Sequence, residues 1–183
     1  MRIKWFLTAL LLAAAIFVGG CSQFSSRIDA PSTRTAADPA VATAHFPAFE
    51  LSVPEGWTER GNLCRLYEGD DIFLLICPAL SGDAQASLQA QCEQTLAEQL
   101  ELFYNTEFYA GQVSFDYSEY ESDEPEQTRI GGMLHNGKTG EDLRFCGVYR
   151  SHPACCYVYF QSGAATTDLG LLREVSHDSF RTF

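Results

Sequence analysis

Thr128-Arg-Ile-Gly-Gly-Met-Leu134 begins a run of three strand-like segments in this 183-residue chain. The next two are Asp142-Leu-Arg-Phe-Cys-Gly-Val-Tyr-Arg150 and Cys155-Cys-Tyr-Val-Tyr-Phe-Gln161. They are separated by Asn136-Gly-Lys-Thr-Gly140 and Ser151-His-Pro153, whose residue types favour turns. Because strands joined by such short turns pair antiparallel, the run predicts an antiparallel meander.

Four further segments are predicted to be strands. Gln112–Tyr120 alternates apolar and polar residues, and Phe46–Val53 does the same before a turn. Leu63–Tyr67 and Ile72–Cys77 flank Glu68-Gly-Asp-Asp71, which is typical of a hairpin turn. Since Ile72–Cys77 is apolar on both faces, we expect this strand to lie centrally in a sheet.

Two amphipathic helices are predicted beside the strands. The first is capped by Ser81 or Asp83 and ends near Tyr104, and the second is capped by Asp168 or Thr167. Their apolar stripes are Leu88, Cys92, Leu96, Leu100 and Phe103, and Leu169, Leu172, Val175, Ser176 and Phe180. Each stripe needs a surface to cover, so we expect an α+β domain with helices packed on a mostly antiparallel sheet of six or seven strands.

The composition favours a globular domain and excludes one class of partner. Hydrophobic residues make up 46% of the chain, which is enough for a packed core. The formal net charge is −12, with 24 acidic residues against 12 Lys and Arg. Nucleic-acid binding normally requires a basic surface, so the sequence argues against it. An acidic domain is also repelled by anionic headgroups, so membrane attachment must come from the N-terminus.

The N-terminus has the features of an export signal. Arg2 and Lys4 precede an uncharged, mostly apolar segment from Phe6 to Val18, shorter than the roughly 20 residues of a spanning helix. Val18-Gly-Gly-Cys21 resembles a bacterial lipobox, which implies cleavage before Cys21 and acylation of its thiol. The alternatives are an uncleaved signal anchor and an ordinary signal peptide with an accidental cysteine.

Residues 22–44 are predicted to be a flexible tether. They are mostly small and polar, with two prolines, and cannot bury enough surface to offset the entropy of ordering. The predicted organisation is therefore a signal peptide at 1–20, a lipidated Cys21 with a tether to residue 44, and a single globular domain at 45–183.

The segment Phe49-Glu-Leu-Ser-Val-Pro-Glu-Gly-Trp57, with the hairpin, long helix, meander and closing helix after it, resembles the PsbP-like fold. That group includes the DcrB-type bacterial lipoproteins. The resemblance covers residues 46–183 and implies an αβα sandwich, with roles that are mostly scaffolding or partner binding. The six body cysteines depart from the group's pattern. Physically, Pro54 ends the strand and Gly56 permits a reversal, so Trp57 can fold back over the end of the sheet.

The sequence lacks the motifs that announce catalysis. It has no Gly-x-Ser-x-Gly, no phosphate-binding glycine loop and no His-Glu-x-x-His. Metal-ligand spacing is also lacking around the four histidines, at positions 45, 135, 152 and 177. We therefore expect neither a cofactor nor a metal.

One segment is strongly acidic. Its six acids do not follow the spacing of a calcium loop. The segment could form a weak cation site or a docking patch for a basic partner. We favour the simpler interpretation, a strand end and turn exposed to solvent. The acids are Asp116, Glu119, Glu121, Asp123, Glu124 and Glu126.

The body cysteines are 64, 77, 92, 146, 155 and 156, an even number that suggests disulfides outside the cytoplasm. A four-residue hairpin turn places Cys64 opposite Cys77, within bridging distance. Cys146 is expected to face Cys155 or Cys156, depending on register. Free buried thiols are the alternative, and the absence of Cys-x-x-Cys argues against redox catalysis.

The sequence thus predicts a lipid-anchored extracytoplasmic protein, on the outer face of the cytoplasmic membrane or in the periplasm. Its domain is expected to bind an unidentified protein partner or to serve the envelope without catalysis. The alternative is a thiol–disulfide or hydrolytic enzyme whose site no motif reveals.

Overall fold

The computed structural model of the protein describes residues 40–124, 126–163 and 165–183, with the side chains of Asp123 and Glu124 excepted. Cys21, the predicted signal peptide and the tether up to residue 39 lie outside these residues. The described elements are β1 Val41–His45, β2 Phe49–Pro54, β3 Thr58–Gly61, β4 Arg65–Glu68, β5 Ile72–Cys77, α1 Leu88–Tyr104, a short 3₁₀ turn Ala110–Gln112, β6 Val113–Glu124, β7 Gln127–Asn136, β8 Asp142–Ser151, β9 Ala154–Ser162, α2 Leu169–Ser179 and β10 Arg181–Thr182.

Seven of the strands form one antiparallel sheet. Their order is β3-β4-β5-β9-β8-β7-β6, so the predicted meander occupies one half of the sheet and the predicted hairpin the other. β5 pairs with β4 on one side and β9 on the other, which confirms its interior position. The α+β class and the mostly antiparallel sheet are confirmed.

A second sheet of three strands, β1-β2-β10, was not predicted. It contains Phe49–Pro54, which the sequence placed with the other strands. The chain leaves this small sheet through a reversal at Gly56, whose φ of +80° is a conformation that glycine adopts without steric cost. It then enters the large sheet as β3.

The large sheet has an apolar core on each face, because side chains alternate along its strands. In β9, Cys156, Val158 and Phe160 pack under α1 with Leu96 and Leu100. Cys155, Tyr157 and Tyr159 point the other way and pack against α2 and the small sheet with Phe49, Leu51 and Leu172. The molecule is therefore layered: α1, the seven-stranded sheet, then α2 beside the three-stranded sheet.

The two helix predictions differ in accuracy at their N-termini. Asp168 caps α2 as predicted, with its carboxylate accepting hydrogen bonds from the backbone N–H groups of Gly170 and Leu171. Neither Ser81 nor Asp83 caps α1, which begins at Leu88 after the cap Ser87. Asp83 instead accepts a bond from the Gln85 N–H, and this turn keeps the chain out of the helix.

The end of the predicted tether belongs to the fold. Val41–His45 pairs antiparallel with β2 over five residues, so ordered structure starts before Phe46. Ala44 is buried, and the Ala40 carbonyl accepts a hydrogen bond from the Glu55 N–H. Small residues gave this segment the composition of a linker, but pairing with β2 supplies the backbone bonds that make it a strand.

Candidate functional site

Cys64 and Cys77 lie where the hairpin prediction put them. Arg65 pairs with Ile76 in the β4–β5 register, so Cys64, one residue earlier, stands opposite Cys77 on the same face. The two residues also pack in the same apolar cluster, Cys77 inside it and Cys64 at its edge. Both sulfurs are free thiols in the structure, and a disulfide between them stays a prediction.

Two further thiols join this pair. Cys156 is the cross-strand partner of Cys77 in the β5–β9 ladder, and both side chains lie in the same buried cluster. Cys92, in the second turn of α1, packs in the same buried cluster, where it interacts electrostatically with Cys156. We call the four residues Cys64, Cys77, Cys92 and Cys156 the thiol cluster. Its contacts run in series, Cys64–Cys77–Cys156–Cys92.

Acidity alternates along the thiol cluster. A hydrogen bond from Cys77 lowers the pKa of Cys64. Hydrogen bonds from Cys77 and Cys92 lower the pKa of Cys156, although burial acts in the opposite direction. Burial raises the pKa of Cys77 and of Cys92. Each thiol that favours the anionic form therefore neighbours one that donates a hydrogen bond to it.

The expected pairing of Cys146 with Cys155 or Cys156 is wrong. In the β8–β9 register Cys146 stands opposite Tyr159, while Cys155 stands opposite Arg150 and Cys156 opposite Tyr149. The turn at Ser151–Ala154 sets this register, which separates Cys146 from Cys155 by four residues along the strands. Cys146 and Cys155 are buried free thiols on the α2 face of the sheet.

Cys64 opens onto an apolar groove. Unlike Cys77 and Cys156, which are completely buried, Cys64 is partly exposed in the loop between β3 and β4. The groove has a volume of about 570 Å³. Its lining is Gly61, Asn62, Leu63, Cys64, Pro78, Ala79, Ser81, Gln99, Leu102 and Phe103, which we call the Cys64 groove.

A second depression adjoins the Cys64 groove across Leu102. It is lined by Glu98, Glu101, Leu102, Asn105, Thr106, Phe108, Tyr109 and Lys138. Three large apolar side chains stand exposed along these two depressions: Leu63 at 82%, Leu102 at 72% and Tyr109 at 55%. We call this surface the Leu102 surface. Exposed apolar side chains grouped in this way are typical of binding sites.

Among the described side chains of the acidic segment, the acids do not form one cluster. β6 carries Asp116, Glu119 and Glu121 at the edge of the large sheet, and a register shift after Tyr117 turns Glu119 toward α2. There Glu119 Oε1 lies 2.8 Å from Arg173 Nη1, in an ion pair. Among the described side chains, no group of three or more His, Cys, Asp or Glu is arranged to hold a metal ion. The cation-site and docking readings of this segment stay hypotheses.

The histidines are dispersed, and one of them contacts a serine. His152 Nδ1 lies 3.3 Å from Ser151 Oγ and 4.0 Å from Glu126 Oε1, in an exposed turn. A hydrolytic triad uses both ring nitrogens, one toward the nucleophile and one toward the acid. Here the same nitrogen makes both contacts, so the arrangement is not that of a triad. The other three contact Glu50, Asp142 and Tyr157.

Comparison with known proteins identifies no family for this chain. The chain matches no protein-family model, and no curated protein matches it. Within the described residues, neither helix combines the length and apolar character that crossing a membrane requires.

Proposed function

We propose that the chain is an extracytoplasmic lipoprotein, anchored by an acylated Cys21, whose domain binds a protein partner through the Leu102 surface without catalysis. Export and anchoring rest on the sequence of residues 1–21. We also propose the PsbP-like fold, supported by a helix on each face of the sheet and by Trp57, whose indole packs edge-on against Tyr159 at a ring distance of 6.3 Å.

The exposure of Leu102 is the observation that carries the binding proposal. α1 buries Cys92, Leu96 and Leu100 against the sheet, so its opposite side should be polar. Leu102 breaks this pattern by standing 72% exposed on the solvent side, between two depressions. Burying one leucine contributes about 1.5–3 kcal/mol, which a bound partner can supply.

The charges around the Leu102 surface indicate the chemistry of the partner. Glu98 and Glu101 lie beside Leu102 in a depression that also contains Lys138, so the acidic side chains are in excess there, and the chain as a whole is strongly acidic. A complementary segment would insert a large apolar side chain into the Cys64 groove and place Lys or Arg next to the two glutamates. Such complementarity raises association rates and excludes acidic partners.

Binding of synthetic peptides tests the proposal. The probes are peptides with a central Phe or Leu flanked by Lys, matched with versions flanked by Glu. We expect the basic peptides to bind the purified protein and the acidic versions to fail. Leu102→Ser should weaken binding about tenfold, since about 1.4 kcal/mol of apolar burial is lost. Fluorescence anisotropy measures each affinity.

A matched control separates the Leu102 surface from general surface effects. Leu171 is also exposed, at 45%, but lies on α2, beyond the opposite face of the large sheet. Leu171→Ser should leave binding unchanged. Equal binding of basic and acidic peptides, or equal affinity for wild type and Leu102→Ser, would contradict the proposal.

A further inference from the structure

The proposed binding function uses one member of the thiol cluster, Cys64, only as part of the groove wall, and it gives no role to any of the four thiols. Three of its members are completely buried, whereas Cys64 is partly exposed in the wall of the Cys64 groove. A reagent in solvent can therefore reach Cys64, at one end of the series Cys64–Cys77–Cys156–Cys92. The other end, Cys92, is buried on the side of α1 that faces the sheet. The groove volume of about 570 Å³ falls within the range of small-molecule sites.

We propose that the thiol cluster is a disulfide-exchange site for low-molecular-weight disulfides, which oxidise it through Cys64. The oxidised site holds two internal disulfides, Cys64–Cys77 and Cys92–Cys156.

The order of the contacts selects these two pairs. Cys77 can bond to Cys64 or Cys156, because it stands opposite one of them on each side in the sheet, and Cys156 can bond to Cys77 or to Cys92, which packs in the same cluster. A Cys77–Cys156 bond would leave Cys64 and Cys92 without partners, so only the pairing Cys64–Cys77 with Cys92–Cys156 oxidises all four. Residues directly opposite in antiparallel strands have Cα atoms roughly 4.5–5.5 Å apart, inside the range of disulfides, which suits Cys64 and Cys77.

The outer reaction consumes one external disulfide, R–S–S–R. The Cys64 thiolate attacks one of its sulfurs, forming Cys64–S–S–R and releasing the first thiol, RSH. Cys77 then attacks the Cys64 sulfur, forming Cys64–Cys77 and releasing the second RSH. The two protons lost by the cysteines end on the two RSH molecules. The hydrogen bond from Cys77 favours the Cys64 thiolate, which is the attacking species.

The inner reactions move the disulfide without further oxidation. Cys156 attacks the Cys77 sulfur, which forms Cys77–Cys156 and restores the Cys64 thiol. Cys92 then attacks the Cys156 sulfur, which forms Cys92–Cys156 and restores the Cys77 thiol. In each exchange the proton of the attacking thiol passes to the leaving thiol. A second R–S–S–R then oxidises Cys64 and Cys77, so four thiols and two external disulfides yield two internal disulfides and four RSH.

Oxidation of the mature protein by glutathione disulfide tests this proposal. The reduced protein is freed of reductant under nitrogen, mixed with glutathione disulfide, quenched by alkylation at intervals and analysed by mass. We expect a loss of four hydrogen atoms, about 4 Da, on full oxidation. Tandem mass spectrometry of the digest should find Cys64–Cys77 first and Cys92–Cys156 later. The fragment spectra must separate the adjacent Cys155 and Cys156.

Two variants distinguish exchange through Cys64 from direct oxidation of the interior. Cys64→Ser should slow the formation of Cys92–Cys156 at least about tenfold, because the buried thiols lose their access to the reagent. Cys146→Ser removes a buried thiol on the other face and should oxidise at the wild-type rate.

Several results would overturn the proposal. These are a wild-type protein whose four thiols remain alkylatable, Cys77–Cys156 as the final product, and Cys92–Cys156 forming before Cys64–Cys77. Formation of Cys92–Cys156 in Cys64→Ser at the wild-type rate would also overturn the proposal. The wild-type time course needs no substitution, so it decides the matter even if Cys64→Ser fails to fold.

Discussion

Gly69 has no side chain, and the indole of Trp57 occupies the space that one would fill. A Cβ atom at position 69 would lie 2.7 Å from Cε2 of Trp57. The indole also packs edge-on against Tyr159, so it closes one end of the core on the α2 side. The sequence predicted that Trp57 folds back over the end of the sheet, and these contacts put it there.

Replacing Gly69 with Ala should therefore destabilise the protein. The methyl group forces the indole out of its position, and overpacking of this kind costs about 1–3 kcal/mol. Urea unfolding followed by tryptophan fluorescence measures the change. Gly163→Ala is the matched control, because a Cβ there meets only a carbonyl oxygen at 3.8 Å. If both variants unfold at the same urea concentration, the packing of the Trp57 indole does not require a glycine at position 69.

The cysteines show which contacts a sequence can predict. Cys64 and Cys77 flank one short turn, so hairpin geometry alone places them together. The contact between Cys77 and Cys156 depends on β5 pairing with β9, which are separated by α1 and three strands. No local pattern fixes that pairing. The sequence did contain one usable signal for Cys92, which lies in the apolar stripe of α1 and so had to face the sheet.

At the scale of elements, the predictions succeeded where the residue pattern alone determines structure. The strands β7 to β9 were found within one or two residues, and α2 starts directly after a predicted cap, because alternation and turn residues bound them. β6 begins one residue after its predicted start but continues four residues beyond its predicted end, to Glu124. The start of α1 was placed too early, since Ser81 and Asp83 both suit a cap. Ser81 instead donates its N–H to the Thr95 hydroxyl of α1, a tertiary contact with no local signature.

β1 is the element that composition misjudged most. Five residues of this strand pair with β2, and Phe46 after it stacks on Phe49 at a ring distance of 4.8 Å. β1 covers one edge of β2, and β10 pairs with the other. Without β1, an edge of β2 would expose unpaired backbone groups.

A chain that begins at Phe46 should consequently be less stable than one that begins at Ala40. Removing β1 uncovers β2 and the buried Ala44 site, and we expect the melting temperature to fall by at least about 5 °C. Both chains lack residues 1–39, so their difference reports β1 together with Ala40. Differential scanning calorimetry measures it. Equal melting temperatures would mean that β1 contributes nothing to the fold.

At the scale of the whole molecule, the features on which the two proposals rest lie on the same face of the large sheet. The thiol cluster, the Cys64 groove and the Leu102 surface all belong to the α1 side of the large sheet. The other face is covered by α2 and the small sheet. The small sheet contains β1, the first strand of the described residues, and packs on the side of the large sheet opposite α1.

Lipidation of Cys21 would anchor the domain to a membrane. Acyl chains contribute about 0.8 kcal/mol for each buried methylene, so two or three chains on one residue hold a protein firmly in a bilayer. Cys21→Ser should therefore release the protein from washed membranes, or leave an uncleaved precursor that still carries residues 1–20. Ser22→Ala, one residue later, should remain anchored and processed. Intact mass of the membrane-extracted protein separates the cases, since the acylated form is heavier than a polypeptide that begins at Cys21. A native protein whose mass matches an unmodified polypeptide would contradict the lipid anchor.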